Sequence, residues 1–147
     1  MPKLLLDTSY LLDFVRPERP ESDDAVALFN LMQQSGSYEA CVAAPSLKDF
    51  YYLLRGDYSE QERRDWLRVF IRAFDVEQLD VEICATALDS DEPDYEDGCI
   101  RAIAERAQVD FIITRDKRAF ARSWVKSYSA REFLELFPPV DERGWRV

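Results

Sequence analysis

Four short strand-like runs divide this chain, three of them apolar, and segments with helical periodicity separate them. The runs cover residues 3–7, 38–43, 75–79 and 110–114. Neighbouring runs are not joined by the tight turns that link antiparallel strands, so each is expected to be a buried strand followed by a crossover connection. Strands that alternate with helices favour an α/β fold, with a mainly parallel sheet covered by helices on both faces.

Seven helices complete this prediction. Ser59 and Glu62 have the spacing of a capping box for the fourth helix, Ser35-Gly36 interrupts the second, and Gly56 is expected to end the third. The predicted helices cover about residues 8–15, 22–35, 45–55, 60–74, 81–88, 94–107 and 130–137. We therefore predict one domain over residues 1–137 and a C-terminal tail over 138–147, in which Trp145 either docks on the domain or contacts a second copy.

Composition limits the classes of function. The formal net charge of -10 argues against non-specific binding of a polyanion, which depends on Lys and Arg side chains that release counterions. A nucleic acid is therefore expected to bind only through a local surface. No apolar run approaches the roughly 20 residues needed to span a bilayer, which predicts a cytoplasmic protein without a membrane partner.

The chain contains three cysteines and no histidine. Without imidazole the usual zinc patterns, the Ser-His-Asp and Cys-His mechanisms, and any nuclease mechanism with a histidine base are all excluded. The cysteines, Cys41, Cys84 and Cys99, are odd in number and widely spaced, so they are interpreted as buried free thiols. Any catalysis is therefore expected to depend on carboxylates.

Acidic residues follow the three apolar runs and begin a later helix. Asp7 ends the first run, Asp116 follows the fourth after Thr114-Arg115, and Asp49 comes after the second. The cluster Asp94-Tyr95-Glu96-Asp97 starts the sixth predicted helix. Because the carboxyl ends of parallel strands meet in one crevice, these acids are expected to lie close together, where a hard divalent cation can offset their repulsion.

Each acid also has a purely structural interpretation. Asp7 can cap the helix that follows it, and Asp94 and Asp97 can stabilise the start of theirs. Asp49 is more informative, because Asp is unfavourable inside a helix, although an ordinary position on the solvent face stays open. The order and combination of the acids favour a site over four unrelated caps.

Basic residues concentrate in one segment of this acidic chain. Between positions 115 and 126 the sequence has five of them, against the single acid Asp116: Arg115, Lys117, Arg118, Arg122 and Lys126. One interpretation is a solvated face paired with acids elsewhere. The other is a local rim that binds phosphate beside a metal pocket.

Four segments together resemble the PIN-domain family, the nuclease domain found in toxins of bacterial toxin-antitoxin pairs and in several RNA-processing enzymes. They are Leu-Leu-Leu-Asp-Thr-Ser-Tyr-Leu-Leu-Asp-Phe at the N-terminus, Ser-Leu-Lys-Asp-Phe-Tyr-Tyr-Leu-Leu, Asp-Tyr-Glu-Asp-Gly, and Phe-Ile-Ile-Thr-Arg-Asp-Lys-Arg-Ala-Phe. The likeness spans nearly the whole chain, and the order and spacing of the segments carry it.

The resemblance implies a three-layer α/β/α fold whose catalytic acids line one pocket and bind Mg²⁺ or Mn²⁺. The four acids that match the family pattern are Asp7, Asp49, Asp97 and Asp116. Asp7, Asp97 and Asp116 are the predicted metal ligands, with Asp94 as an auxiliary one. The family often has Glu where this chain has Asp49, which is one methylene shorter, and Gly98 replaces a common alanine.

This set of residues predicts a metal-dependent endoribonuclease that hydrolyses phosphodiester bonds. Asp49 is expected to orient the attacking or a metal-bound water, and five residues are candidates for contacts with the substrate phosphate: Thr8, Thr114, Arg115, Lys117 and Arg118. The resemblance also implies RNA as substrate, an inhibitory antitoxin and a homodimer. The alternative is a PIN-like domain that binds or regulates a partner with little or no cleavage.

Overall fold

A computed structural model of the protein describes residues 1–139 and residue 143, and within them the sheet has five strands. The strands are β1 (Lys3–Leu6), β2 (Glu39–Ala43), β3 (Asp75–Glu77), β4 (Phe111–Ile113) and β5 (Lys126–Tyr128). They lie in the order β3-β2-β1-β4-β5, and every neighbouring pair is parallel. The predicted parallel α/β architecture is confirmed.

The fifth strand was not predicted from the sequence. Lys126–Tyr128 is three residues long and consists of Lys, Ser and Tyr, so it lacks the apolar run that marks a buried strand. It forms an edge of the sheet through its pairing with β4 alone. An edge strand needs only one row of backbone hydrogen bonds and tolerates polar side chains, which explains why its sequence resembles a loop.

Seven helices lie among the described residues. They are α1 (Thr8–Val15), α2 (Ser22–Ser35), α3 (Ala44–Leu53), α4 (Glu60–Ala73), α5 (Val81–Asp89), α6 (Tyr95–Arg106) and α7 (Ala130–Leu136). The capping box of Ser59 and Glu62 is confirmed, and Gly36 ends α2 in the left-handed conformation with φ of 59°. Helix α3 ends at Leu53 rather than at Gly56, and the chain continues as a turn in which the N–H of Leu54 still donates to the Phe50 carbonyl oxygen and that of Asp57 to the Leu54 carbonyl oxygen.

The core consists of two apolar clusters, one on each face of the sheet. Alternate residues of β1 point to opposite faces, so Leu4 and Leu6 join one cluster and Leu5 joins the other. The first cluster is rich in aromatic rings from α1, α3, α4 and α7, including Phe50, Phe70 and Phe133. The second contains α5 and α6. This arrangement is the predicted three-layer sandwich.

The cysteines match their interpretation as free thiols. Cys41 and Cys99 are buried, whereas Cys84 is only half-buried, and all three are free. Burial raises the pKa of the Cys41 thiol to about 12, so this side chain stays protonated and acts as a small apolar residue.

Two further sequence predictions stay open. Trp145 lies outside the described residues, and the boundary between a domain over 1–137 and a tail over 138–147 remains a prediction. No helix in the described part of the chain is both long and apolar enough to cross a membrane.

Candidate active site

The topology brings the predicted acids to one edge of the sheet. Asp7 directly follows β1, and Asp116 follows the adjacent strand β4 by three residues. Asp49 lies in α3, which begins where β2 ends, and Asp97 is in the first turn of α6. Because β1, β2 and β4 are neighbouring parallel strands, their carboxyl ends share one edge.

Asp7 is the N-cap residue of α1, and its side chain accepts a hydrogen bond from Thr114, which follows the neighbouring strand β4. Its Oδ2 accepts a bond of 2.9 Å from the Thr114 hydroxyl, and its side chain makes no cap bond to the helix it precedes. Burial raises the pKa of Asp7, and the charges of Asp116 and Asp49 raise it further, whereas the hydrogen bonds from the Thr114 hydroxyl and the Thr8 backbone N–H lower it. Asp7 is thus the N-cap residue of α1 by position, while its side chain is also bonded to Thr114 beside the neighbouring strand.

Thr114 is completely buried and connects two of the acids. Besides donating to Asp7, its hydroxyl accepts a bond of 3.0 Å from the backbone N–H of Asp116. The Ser9 hydroxyl lies 3.3 Å from that of Thr114 and accepts a bond from the N–H of Arg115. Sequence reasoning treated Thr114 as a phosphate contact and overlooked Ser9, although two hydroxyls beside two acids were the available signal.

Asp94 serves as the N-cap of α6. Its Oδ1 accepts a hydrogen bond of 2.9 Å from the backbone N–H of Asp97, three residues later. The sequence left open that Asp94 caps a helix, and the structure shows this cap. It fixes the helical turn that carries the Asp97 side chain.

Asp97 is the acid with the clearest electrostatic signature. Burial raises its pKa to about 6 from an ordinary value of 3.8, and the charges of Asp94, Asp7, Asp116 and Glu92 add to the effect. Because the charges of Asp7 and Asp116 raise the pKa of Asp97, the three carboxyls share one electrostatic environment at this edge of the sheet. Perturbed carboxyls of this kind are typical of functional sites.

A cavity of about 980 Å³ opens beside these acids. Asp7, Asp49 and Asp97 all line it, together with Thr8. The remaining lining residues come from α3, α6 and the segment before α5: Ala44, Pro45, Lys48, Tyr52, Leu53, Gln78, Leu79, Tyr95, Glu96, Cys99 and Ile100. Asp116 is coupled to Asp7 and Asp97 by charge but does not line the cavity.

The raised pKa of Asp97 leads to a prediction about stability in metal-free buffer. The Asp97 carboxyl titrates near pH 3.8 in the unfolded chain and near pH 6 in the folded protein. Its negative charge therefore destabilises the folded state fully above pH 6, and this destabilisation is absent below pH 3.8. Replacing Asp97 by Asn is therefore expected to raise the free energy of unfolding at pH 7 by about 1–2 kcal/mol, after allowance for solvent screening.

Urea unfolding in EDTA at pH 7 and below pH 4 tests this expectation. The gain of Asp97→Asn should disappear at the lower pH, where both states carry a protonated carboxyl. Glu96→Gln is the matched control, since Glu96 is an exposed acid in the same turn and should change stability by no more than about 0.5 kcal/mol. A destabilised Asp97→Asn at pH 7 would contradict the prediction.

Two of the predicted phosphate contacts are engaged with acids of this chain. The Arg115 Nε donates to the Asp13 carboxylate at 2.7 Å, and Asp13 is buried. Lys117 forms an ion pair with Glu132. Arg118 has no ion pair within residues 1–139, although its backbone N–H donates to Asp116 at 3.0 Å. Two of the five basic residues in this segment therefore match the interpretation of a face paired with acids elsewhere, whereas Arg118, Arg122 and Lys126 have no ion pair among the described residues.

The side chains as placed do not form a ready-made metal centre. Across residues 1–139 and 143, no three acidic or thiol groups lie close enough together to hold a metal ion. The donors nevertheless suit Mg²⁺ or Mn²⁺, because the cavity presents hard carboxylate oxygens and none of the ion pairs in the described chain involves Asp7, Asp49 or Asp97. The mutual repulsion that raises the pKa of Asp97 is the kind a cation offsets.

The sequence that contains these elements and acids matches the model of a known protein family. The model of the PIN domain matches residues 3–118, which include β1 through β4 and all the acids of the site. This protein belongs to the PIN-domain family. The predicted resemblance is thereby confirmed, and the PIN-domain match ends before β5. No curated protein sequence matches the chain.

Solved structures with the same fold include bacterial toxins. VapC20 of Mycobacterium tuberculosis, a toxin described as cleaving the sarcin-ricin loop, aligns with a TM-score of 0.67 and 13% identity, covering 84% of this chain and 97% of that one. A toxin-antitoxin complex from Klebsiella pneumoniae aligns with a TM-score of 0.64 and 18% identity, covering 86% of this chain and 97% of that one. DNA-bound VapBC of Salmonella typhimurium aligns with a TM-score of 0.65 and 16% identity, covering 88% of this chain and 99% of that one. At such identities the likeness shows the PIN fold.

Proposed function

We propose that this PIN-domain protein is a Mg²⁺- or Mn²⁺-dependent endoribonuclease, the toxin of a toxin-antitoxin pair. The observation that carries the proposal is the convergence of Asp7, Asp49 and Asp97 on one cavity, with Asp116 in the same electrostatic environment. Carboxylates without basic partners, in a chain that has no histidine, favour metal-assisted hydrolysis over general base catalysis by a side chain.

Asp7, Asp97 and Asp116 are the residues that would hold the cation. When bound, a divalent cation lowers the pKa of its water and stabilises the charge that develops on a phosphodiester. The Thr114 hydroxyl fixes the orientation of Asp7 through its hydrogen bond, and the Asp94 cap fixes the turn that carries Asp97. We assign Asp94 a supporting position in the metal site for this reason.

Asp49 is proposed to orient the attacking water. It lies on the cavity wall with Asp7 and Asp97, and no described basic side chain pairs with it. A carboxylate in that position can accept a hydrogen bond from water beside the scissile phosphate. Thr8 lies at the N-terminus of α1 on the same wall, where backbone N–H groups favour a phosphate oxygen.

The toxin assignment extends to partners. Structures that share the fold are toxin-antitoxin complexes, as in Klebsiella pneumoniae and in VapBC of Salmonella typhimurium. We propose that this protein likewise has an antitoxin partner and forms a homodimer. Several apolar side chains are exposed and available to such contacts, among them Leu53 and Leu79 on the cavity wall and Val81 and Leu88 on α5.

Metal-dependent cleavage of RNA by the purified protein tests the proposal. Several structured RNAs should be incubated with Mn²⁺, Mg²⁺ or EDTA, because a toxin of this kind can be selective for one RNA. We expect discrete cleavage products with either cation and none in EDTA. Mn²⁺ should also raise the melting temperature of the protein, by mass action on the folded state. Cleavage that persists in EDTA would contradict a metal-dependent mechanism.

The second candidate function is a PIN domain that binds without cleaving. The net charge of -10 and the shorter Asp49 side chain favour it. This candidate predicts that the protein binds an RNA or protein partner while every RNA stays intact with Mn²⁺ and Mg²⁺, whereas the nuclease predicts metal-dependent products from at least one RNA.

A further inference from the structure

One surface of α3 carries cations that are not paired with acids. Lys48, Tyr52 and Arg55 follow one another at intervals of four and three residues, which places them along one side of the helix and its following turn. We name these three residues the α3 strip. Lys48 and Tyr52 line the cavity that contains Asp7, Asp49 and Asp97. The strip therefore leads directly out of the candidate active site.

The two cations of the strip are without ion pairs in the described part of the chain, unlike Arg115 and Lys117 in the segment after β4. Arg115 and Lys117 are engaged with Asp13 and Glu132, whereas no ion pair in the described chain includes Lys48 or Arg55. Both are exposed side chains in a protein with a net charge of -10. Unpaired cations beside an acidic cavity are available to phosphate groups that approach that cavity.

Tyr52 supplies an aromatic surface between the two cations. Its side chain is 57% exposed, and the Arg55 guanidinium carbon lies 3.7 Å from the centre of its ring. The Arg55 Nη1 also donates to the Tyr52 carbonyl oxygen at 2.9 Å, which holds the guanidinium in place. The neighbouring Tyr51 is different, since its hydroxyl donates to Glu60 and its ring packs against Arg63. Tyr52 and Arg55 thus form an open platform for a planar group.

We propose that the α3 strip binds unpaired RNA next to the catalytic acids, with a nucleobase stacked on Tyr52 and Arg55 and flanking phosphates held by Lys48 and Arg55. The inference rests on the proposed function and adds to it a binding surface with named residues. Stacking on a protein ring requires a base that has left its neighbours, so the strip would bind a single strand or a loop more tightly than a duplex.

A second copy of this chain is the other candidate occupant of the strip. In a symmetric dimer the same patch meets itself around the two-fold axis, so Lys48 and Arg55 would face their own counterparts. Like charges in such a contact are unfavourable, whereas the phosphates of RNA complement them. Charge complementarity therefore favours RNA.

Equilibrium binding in EDTA tests the strip without cleavage. A fluorescein-labelled single-stranded RNA and the same sequence as a duplex are titrated with protein, and anisotropy gives the dissociation constants. We expect tighter binding of the single strand. Tyr52→Ala should weaken it by about 5-fold or more, the loss expected for one stacked base, while Tyr52→Phe should stay within about twofold.

The salt dependence distinguishes the cations from the ring. Lys48→Gln and Arg55→Gln should each reduce the slope of log affinity against log salt by about 0.7, whereas Tyr52→Ala should leave the slope unchanged. Arg72→Gln is the matched control, because Arg72 is an exposed cation of α4 that does not line the cavity and has no ion pair among the described residues. It should bind RNA as the unmodified protein does.

Three results would overturn the inference. They are equal affinity for single strand and duplex, unchanged affinity of Tyr52→Ala, and a Tyr52→Ala protein that binds RNA normally but has lost its dimer in light scattering, which would assign the surface to a second copy. Each is distinguishable from failure of the proposed function, which is read separately from metal-dependent cleavage by the unmodified protein.

Discussion

Replacing Asp7 by Asn is expected to lower RNA cleavage by at least about 100-fold at saturating Mn²⁺, the loss typical for removing one charged group that stabilises a hydrolytic transition state. Asn keeps the size of the side chain and can still accept the hydrogen bond from the Thr114 hydroxyl. The substitution therefore removes the negative charge while preserving the local geometry.

The fold should survive this change. Burial raises the pKa of Asp7, so an uncharged side chain is easier to accommodate there in metal-free buffer. We expect an unchanged or higher melting temperature in EDTA, and a smaller rise on addition of Mn²⁺ than the unmodified protein shows. Asp23→Asn, at an exposed acid in the first turn of α2, is the control and should cleave normally. Full activity of Asp7→Asn would exclude Asp7 from the site.

Replacing Arg115 by Gln is expected to destabilise the protein by about 2–3 kcal/mol, because it leaves the buried Asp13 carboxylate without its closest partner. The Asp13 side chain is 4% exposed, and its distances to Arg115 and Arg19 are 2.7 and 3.5 Å. Arg19 remains after the substitution, so we expect less than the full cost of an isolated buried charge. Urea unfolding at pH 7 measures the loss.

The pH dependence identifies the cause of this loss. Burial raises the pKa of Asp13, while the charge and hydrogen bond of Arg115 lower it. Without Arg115 the pKa rises further, so the destabilisation should be largest at neutral pH and shrink as Asp13 becomes protonated in acid.

Two variants complete the test of Arg115. Arg118→Gln should change stability by no more than about 0.5 kcal/mol, since Arg118 has no ion pair in the described chain. Asp13→Asn combined with Arg115→Gln should recover part of the loss, because the unpaired charge is gone. If Arg115→Gln weakened RNA binding with unchanged stability, Arg115 would be a phosphate contact as the sequence first suggested.

The alternation of apolar runs and helical segments was enough to predict the parallel sheet and all seven described helices. Most of those elements carry strong local signals, such as the buried apolar runs of β1, β2 and β4 and the capping box at Ser59. Lys126–Tyr128 escaped prediction because an edge strand is specified by its pairing with β4 rather than by its own residues. The predicted end of α3 lay about two residues too late, because the last turn of this helix continues into a hydrogen-bonded turn and helix ends are weakly specified by local sequence.

The sequence by itself determined the fold class and the available catalytic groups of this protein: a parallel α/β fold of the PIN family, with acids after its strands and no histidine. These properties depend on residue type and order, which a sequence displays directly. The tertiary structure decided which groups have partners. In it Arg115 pairs with Asp13, Thr114 donates a hydrogen bond to Asp7, and neither Lys48 on the cavity wall nor Arg55 against Tyr52 has an ion pair among the described residues. Such choices depend on contacts between residues up to about a hundred positions apart, which local patterns do not encode.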